Sequence, residues 1–452
     1  MAKVKDPNRI KFGEKLCFLL CNIGNIPLML LLSTFFLIFY TNVVGLDAGK
    51  LATLFLISKI MDGISDPIMG YFLDRFPVTK HGKFRPMLIL GTIICVINYI
   101  LLWFGAVWAP AGKYIIVYAT YLLLGWTFDI MDISLNSLLP VMTADPKERN
   151  SLSMIKMIGY VGGGIAVSVA GPIIVAAGTL QSYYTLIFVF MAVVLIGSIG
   201  GVLGVKERVT FEGTEAEKYG FRELLSFLGM RPILITFLAS VLFGVGTQLQ
   251  SGANAYFYTY LMGDLKLMAG VSGMAIVGMV PALIIAPILA NKLGKKAIYI
   301  TGMIIAILGY GIRFINQTSL TLLYISAILV SFGTGFTSTL MYGIQADNTT
   351  YVQYKTGKRA EAAVASLSSF ISKVGQGIAG ALPGYVLAAT GFVADAAVQS
   401  DAVNRGIISC VVLLPVIFCL LSLLIFGFGY NLGKKEVDEM SSAIRNKQPI
   451  TE

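Results

Sequence analysis

YVGGGIAVSVAGPIIVAAG, residues 160–178, and KVGQGIAGALPGYVLAATG, residues 373–391, follow one pattern. Gly162, Gly164, Gly171 and Gly178 fall opposite Gly375, Gly377, Gly384 and Gly391 without a gap. Glycine-rich membrane helices resemble one another because small residues let helices approach, so this match alone carries little. A second match lies nearby: TADPKERNSL at 143–152 is echoed, with an insertion, by QADNTTYVQYKTGKRAEAAVASL at 345–367. The same marks recur in the same order in two parts of the chain, which implies two parallel halves. Transporters built this way hold substrate near the bilayer midplane between the halves and expose it to each side in turn.

Around these segments the chain is strongly apolar. It has 452 residues, of which 56% are hydrophobic and 13% charged, with a mean hydropathy of +0.79. That charge is too little to cover a soluble protein of this length, so the composition implies a polytopic membrane protein. Apolar runs near the 20 residues or so that a spanning helix needs fall at 14–41, 48–73, 86–107, 113–139, 151–177, 182–204, 232–262, 267–290, 297–316, 319–344, 361–390 and 402–430. The expected architecture is all-α, with twelve transmembrane helices in two six-helix halves. Residues 1–204 form the first half, 205–231 a charged middle loop, 232–430 the second half and 431–452 a tail. No early segment has the short core and cleavage site of a signal peptide.

Charge sets the orientation. Of the 34 lysines and arginines, 27 fall in the N-terminal arm, alternate loops and the tail. Four lie on the opposite side (Lys50, Lys113, Lys266 and Arg405), and Lys59, Arg313 and Lys373 lie within spans. The basic side is cytoplasmic, which puts both termini inside. Contact with anionic headgroups accounts for the net charge of +10, and no nucleic-acid partner is needed. The five cysteines lie within spans without pairing or metal-ligand spacing, and read as small buried apolar groups.

The spans also carry charges, which are costly there. An aspartate at mid-bilayer costs roughly 2.5–3.5 kcal/mol, so Asp62, Asp66, Asp129 and Asp132 must face the interior. At helical spacing Lys59, Asp62 and Asp66 share one stripe of the second span, and Asp129, Asp132 and Asn136 one stripe of the fourth. A purely structural reading pairs the aspartates with Lys59 or Lys373. Four carboxylates against two lysines leave surplus negative charge, which a small cation with oxygen ligands would neutralise. Asp62, Ser65, Asp66 and Asp129 suit sodium, with Asp62 and Asp66 at its centre, or a proton. The sole histidine, His81, falls in a cytoplasmic loop, so a histidine proton relay is not expected.

DGISDPIMGYFLDRFPVTKHGKFRP at 62–86 resembles the signature of the glycoside–pentoside–hexuronide:cation symporters, the melibiose-permease relatives in the major facilitator superfamily. FYTNVVGL at 39–46, DIMDISLNSLLPVMTADPKER at 129–149 and TGKRAEAAVASLSSFISKVGQG at 356–377 agree. The resemblance covers the whole chain in order. It implies a sugar:cation symporter in which Asp62 and Asp66 bind the cation, with Ser65 and Asp129 as further ligands. It also implies that Asp132 hydrogen-bonds the sugar, that Lys373 couples the two sites, and that Asp74 to Arg85, including Arg75, form the hinge loop between spans 2 and 3.

The sequence departs from that pattern around the sugar. Ile26 stands where the melibiose-type carrier has an aspartate, with Asn22 and Asn25 the nearest polar groups. Asn136 replaces a stacking tryptophan, and Met157 replaces an arginine with Lys156 beside it. A substrate smaller or more acidic than a galactosyl disaccharide follows. Candidate substrate-binding residues are Asn25, Asp132, Asn136, Lys156, Gln248 and Lys373; candidate coupling or gating residues are Lys59, Lys373, Asp74 and Arg75.

Lys59 is expected to pair with an aspartate, and Arg313 to snorkel to the outer interface, with gating or attraction of an anionic substrate as its alternative role. Tyr256, Tyr258 and Tyr260 are candidate cavity-lining residues. The alternative functions are a cation-coupled carrier of a non-sugar amphiphile, and an exporter or exchanger on the same fold. An enzyme is not expected, since no metal cluster or activated nucleophile stands out. The expected partners are a small sugar or glycoside, a monovalent cation and the lipid bilayer, with no cofactor. The protein should be a monomeric, multi-pass protein of a bacterial cytoplasmic membrane.

Overall fold

The computed structural model describes residues 10–143, 145–209, 226–356, 361–394, 396 and 398–447. The described residues are overwhelmingly helical. The helices are α1 (Phe12–Asn42), α2 (Ala48–Asp74), α3 (Phe84–Trp108), α4 (Lys113–Met142), α5 (Pro146–Ile174), α6 (Leu180–Gly204), α7 (Arg231–Leu261), α8 (Leu267–Leu293), α9 (Lys295–Phe314), α10 (Leu320–Thr356), α11 (Glu361–Thr390), α12 (Asp401–Gly429) and α13 (Lys434–Lys447).

Ten of these helices are long and apolar enough to cross a membrane. The two long helices outside that set are α2 and α11, which carry Lys59, Asp62 and Asp66 and Lys373 respectively. The final helix, α13, is charged throughout, and its Lys434 Nζ donates to the Asn291 carbonyl at the end of α8 at 2.9 Å.

The chain divides into two compact units. One is built mainly from Met1–Thr214; the other comprises Glu215–Gly263, Gly270–Phe392 and Val398–Glu452. In the first, glycines on α6 bring it against α1. A Cβ at Gly197 would stand 2.8 Å from the Leu20 carbonyl oxygen, and one at Gly201 2.5 Å from that of Cys17. This is the small-residue contact that lets membrane helices pack closely. In the second, Gly302 of α9 meets the Gly333 carbonyl of α10 in the same manner. The repeat glycines of α5 do not all serve such contacts: nothing lies within 4 Å of a Cβ added at Gly162 or Gly164.

The backbone reveals more of the repeat than the glycine pattern does. Six described glycines have positive φ, and they form three pairs: Gly45 with Gly263, Gly82 with Gly294, and Gly178 with Gly391. Each member sits just past a helix or in the turn before the next one, where the left-handed conformation excludes other residues. The segments around the first pair read FYTNVVG (39–45) and FYTYLMG (257–263). Upstream of these glycines α1 makes a π-turn at Leu32–Phe36, and α7 makes one at Phe257–Leu261. GTIICVINY (91–99) on α3 likewise matches GMIIAILGY (302–310) on α9. The two stretches thus align position by position beyond the segments that composition alone picks out.

Candidate functional site

The charged stripe of α2 is anchored within the first unit. Lys59 Nζ lies 2.7 Å from Asp62 Oδ2, one turn apart on the same face. Ser65, fully buried, donates through Oγ to Asp129 Oδ2 on α4 at 2.8 Å. Gly125 makes this approach possible, because a Cβ there would collide with Asp62 Oδ1. The backbone of Asp66 continues the α2 stripe; its side chain and that of Asp74 lie outside the described residues. Among the described residues no group of three or more His, Cys, Asp or Glu is placed to hold a metal ion.

One turn along α4 a second polar chain begins. Asn136 Nδ2 donates to Asp132 Oδ2 at 2.8 Å, and Lys156 Nζ on α5 donates to Asn136 Oδ1 at 2.5 Å. Lys156 also lies 5.7 Å from the centre of the Tyr160 ring. Asn25 of α1, 2% exposed, lies within hydrogen-bonding reach of Asp132. A carboxylate, two amides and an ammonium from α1, α4 and α5 thus converge, offering the mixed donors and acceptors that sugar hydroxyls need. Lys156, a substrate-binding candidate from the sequence, stands on α5, and its ammonium points to α4.

The other candidates are distributed as follows. Arg75 is exposed at the end of α2. Gln248 is exposed on α7, and Lys373 is half-buried on α11, both in the second unit. Tyr256 and Tyr258 are buried, and Tyr256 stacks on Tyr260 with ring centres 6.4 Å apart. His81 is exposed. Arg313 departs from expectation: it is 2% exposed, packed in protein with its guanidinium 5.9 Å from the centre of the Phe257 ring. A helix read on its own shows no partner, whereas folding brings α7 across it.

The structure adds two carboxylates that the sequence reading missed. Glu207, just past α6, accepts from the backbone N–H groups of Lys83, Phe84 and Arg85 at 2.9, 2.9 and 2.8 Å. It closes the N-terminal end of α3, where free N–H groups and the helix dipole favour an anion. Arg85 in turn donates to the Val202 and Leu203 carbonyls at the end of α6. Glu14, 7% exposed, receives both Arg208 Nη1 and Nη2 at 2.7 Å. These hydrogen bonds push the Arg208 pKa up further. The only sequence signal for either was the short charged run KER at 206–208.

Comparisons with known proteins give the family of the chain. A family model described as MFS/sugar transport protein matches residues 17–434. The isoprimeverose transporter of Lactiplantibacillus pentosus is 29% identical over 417 residues, covering 89% of this chain and 85% of the relative. The glucuronide carrier protein homolog of Escherichia coli (strain K12) is 28% identical over 434 residues, covering 92% of each. The crystal structure of a D-xylose–proton symporter superposes with a TM-score of 0.65 at 13% identity, covering 93% of this chain and 98% of the other, a likeness of fold. These relatives are membrane transporters, not enzymes, and the apolar helices fit a multi-pass protein of the inner membrane. The chain belongs to the MFS/sugar transport protein family, within the glycoside–pentoside–hexuronide group of the major facilitator superfamily.

Proposed function

We propose that this chain is a cation-coupled symporter of a sugar, glycoside or hexuronide, working by alternating access through twelve spans with both termini cytoplasmic. The observation that carries this reading is the pair Asp129 and Asp132, one turn apart on α4 and bonded into different sets. Asp129 is held by Ser65 beside the Lys59–Asp62 pair, and Asp132 is held by Asn136, which Lys156 engages. One rigid helix turn therefore joins a carboxylate-rich group suited to a cation with a mixed polar group suited to a sugar.

In the proposed cycle, sodium or a proton enters at Asp62, Asp66 and Asp129 as a co-substrate. It relieves repulsion among carboxylates that Lys59 only partly neutralises. Relieving it fixes the facing of α2 and α4, and with them Asp132 and Asn136. The sugar then binds a pre-arranged set. Such coupling is reciprocal, and a value of about 1–3 kcal/mol would give roughly 5–150-fold in affinity. Lys156 suits an acidic sugar through charge-assisted bonds. Lys373 supplies a charge in the second half and serves as the coupling residue. The proposed halves are 1–204 and 232–430, joined by the loop 205–231, with the tail 431–452 cytoplasmic. The carrier acts as a monomer and uses no cofactor.

The interior charges support counting α2 and α11 among the spans, since charged residues in transmembrane helices mark ion and substrate paths. The test is uptake of labelled pentosides and hexuronates into proteoliposomes under an imposed sodium or pH gradient. Accumulation that tracks one gradient and collapses with it is expected. Uptake indifferent to both gradients would remove the symport reading.

A further inference from the structure

The internal repeat isolates one residue with no counterpart in the other half. GTIICVINY (91–99) on α3 aligns with GMIIAILGY (302–310) on α9. Continuing the register three residues past the shared tyrosines Tyr99 and Tyr310 sets Leu102 opposite Arg313. FYTNVVG and FYTYLMG likewise set Tyr40 opposite Tyr258. In the first half this corner is complete. Leu102 is fully buried, and the Tyr40 hydroxyl donates to its carbonyl. In the second half the same corner holds a guanidinium. Arg313 is 2% exposed and Tyr258 1% exposed. The fold therefore has an apolar solution for this position and does not use it here.

The second-half corner is polar but unsatisfied. Arg313 Nε and Nη1 are buried without a full-geometry hydrogen bond, and the buried Tyr258 hydroxyl lies within reach of the guanidinium, where its oxygen can accept only part of what the fork donates. Tyr258 and Tyr310 lie alongside the guanidinium, and the Phe257 ring sits beneath it. Among the described residues no carboxylate pairs with Arg313. A buried charge left unpaired is strongly unfavourable, and an aromatic face offsets only part of that. Even with the Tyr258 oxygen accepting from the guanidinium, N–H groups of the planar fork and the phenolic O–H remain to donate. They could be satisfied together by one small acceptor carrying negative charge.

We infer that Arg313 and Tyr258 form a binding site for a small monovalent anion, of chloride or carboxylate chemistry, at the α7–α9 corner of the second half. The anion completes the corner that the Tyr40–Leu102 contact completes in the first half. Its source is either a free ion or the carboxylate of an acidic sugar.

The test is thermal unfolding of the purified full-length protein in detergent. The buffer is chloride-free sodium sulfate, and sodium chloride, acetate or glucuronate is titrated in at constant sodium and ionic strength. Sulfate, divalent and larger, serves as the background the corner does not accept. For the wild type a saturable rise in Tm of roughly 2–4 °C with chloride and acetate is expected. Arg313→Met, neutral and of similar length, should lose that rise. Tyr258→Phe, which removes one donor, should keep it with roughly 5-fold weaker apparent affinity. A saturable glucuronate effect that also needs Arg313 identifies a sugar carboxylate as the occupant; silence with glucuronate alongside a chloride effect identifies a free ion. If the wild type shows no anion dependence, or if Arg313→Met and Tyr258→Phe both retain it unchanged, the site does not exist.

Discussion

Ser65 Oγ on α2 donates a 2.8 Å hydrogen bond to Asp129 Oδ2 on α4, and this bond ties the two charged helices of the first half together. Ser65 is fully buried and also reaches the Asp62 carbonyl at 3.2 Å. Its hydroxyl therefore fixes which Asp129 oxygen remains for a cation. Ser65→Ala should lower cation affinity by roughly 5-fold, the equivalent of one net hydrogen bond. Sugar affinity at saturating cation should stay near wild type. Calorimetric titration with sodium, with and without sugar, reads both; an equal loss on both sides would make Ser65 a packing residue.

The bonded series Asp132, Asn136 and Lys156 predicts substrate charge preference. Lys156 reaches the amide of Asn136 at 2.5 Å from another helix. Lys156→Met should weaken hexuronate binding by about 10-fold or more, since a charge-assisted bond to a carboxylate contributes roughly 1.5–3 kcal/mol. A neutral pentoside should be affected much less. Competition between the two sugars in one transport assay measures the ratio, and an unchanged ratio would remove Lys156 from the substrate site.

Glu207 predicts a mechanical effect without a site. Three backbone N–H groups at the start of α3 converge on its carboxylate. Glu207→Ala leaves them to water and frees Arg85 to shift, so stability should fall by about 1–2 kcal/mol. Equilibrium affinity for substrate should hold while the transport rate falls, because the loop after α2 loses its anchor. Thermal unfolding beside substrate titration separates these effects.

The positions of the ten apolar helices were legible because hydrocarbon imposes an apolar run on any spanning sequence. The run marks only the part in hydrocarbon. Thus α10 was read as 319–344 and extends to Thr356, and α5 begins at Pro146 rather than 151. The spacing that set Lys59 and Asp62 on one stripe is local, and their 2.7 Å contact is a contact within one helix. Partners across helices were not legible. Nothing in the sequence sets Phe257 against Arg313, or Glu207 against residues 83–85. The FYT repeat at 39–41 and 257–259 is too short to stand out beside the longer glycine and TADP/QADN matches.

Lys59 makes the sharpest prediction, because its ammonium occupies a place a cation would contest. It lies 2.7 Å from Asp62 Oδ2, a partly buried pair with side chains 21% and 15% exposed. A cation that offers Asp62 the same charge compensation competes directly with this contact. In the proposed cycle Lys59 is the internal counter-ion that holds Asp62 when no cation is bound, and it swings away when one arrives. Lys59→Met removes that competitor, so cation affinity should rise by roughly 5-fold. Turnover should fall, because the unloaded carrier now carries uncompensated carboxylates as it reorients. Asp62→Asn and Asp66→Asn should act in the opposite sense: cation-enhanced sugar binding is lost while weak, cation-independent sugar binding survives. Combining Lys59→Met with Asp62→Asn should give the single Asp62→Asn behaviour, since the lysine then has nothing to release. Titrating all four variants with sugar, with and without sodium and at two pH values, decides the matter. If Lys59→Met leaves cation affinity unchanged or weakens it, the lysine is not a stand-in for the ion. If both asparagine variants keep wild-type enhancement, coupling does not run through α2.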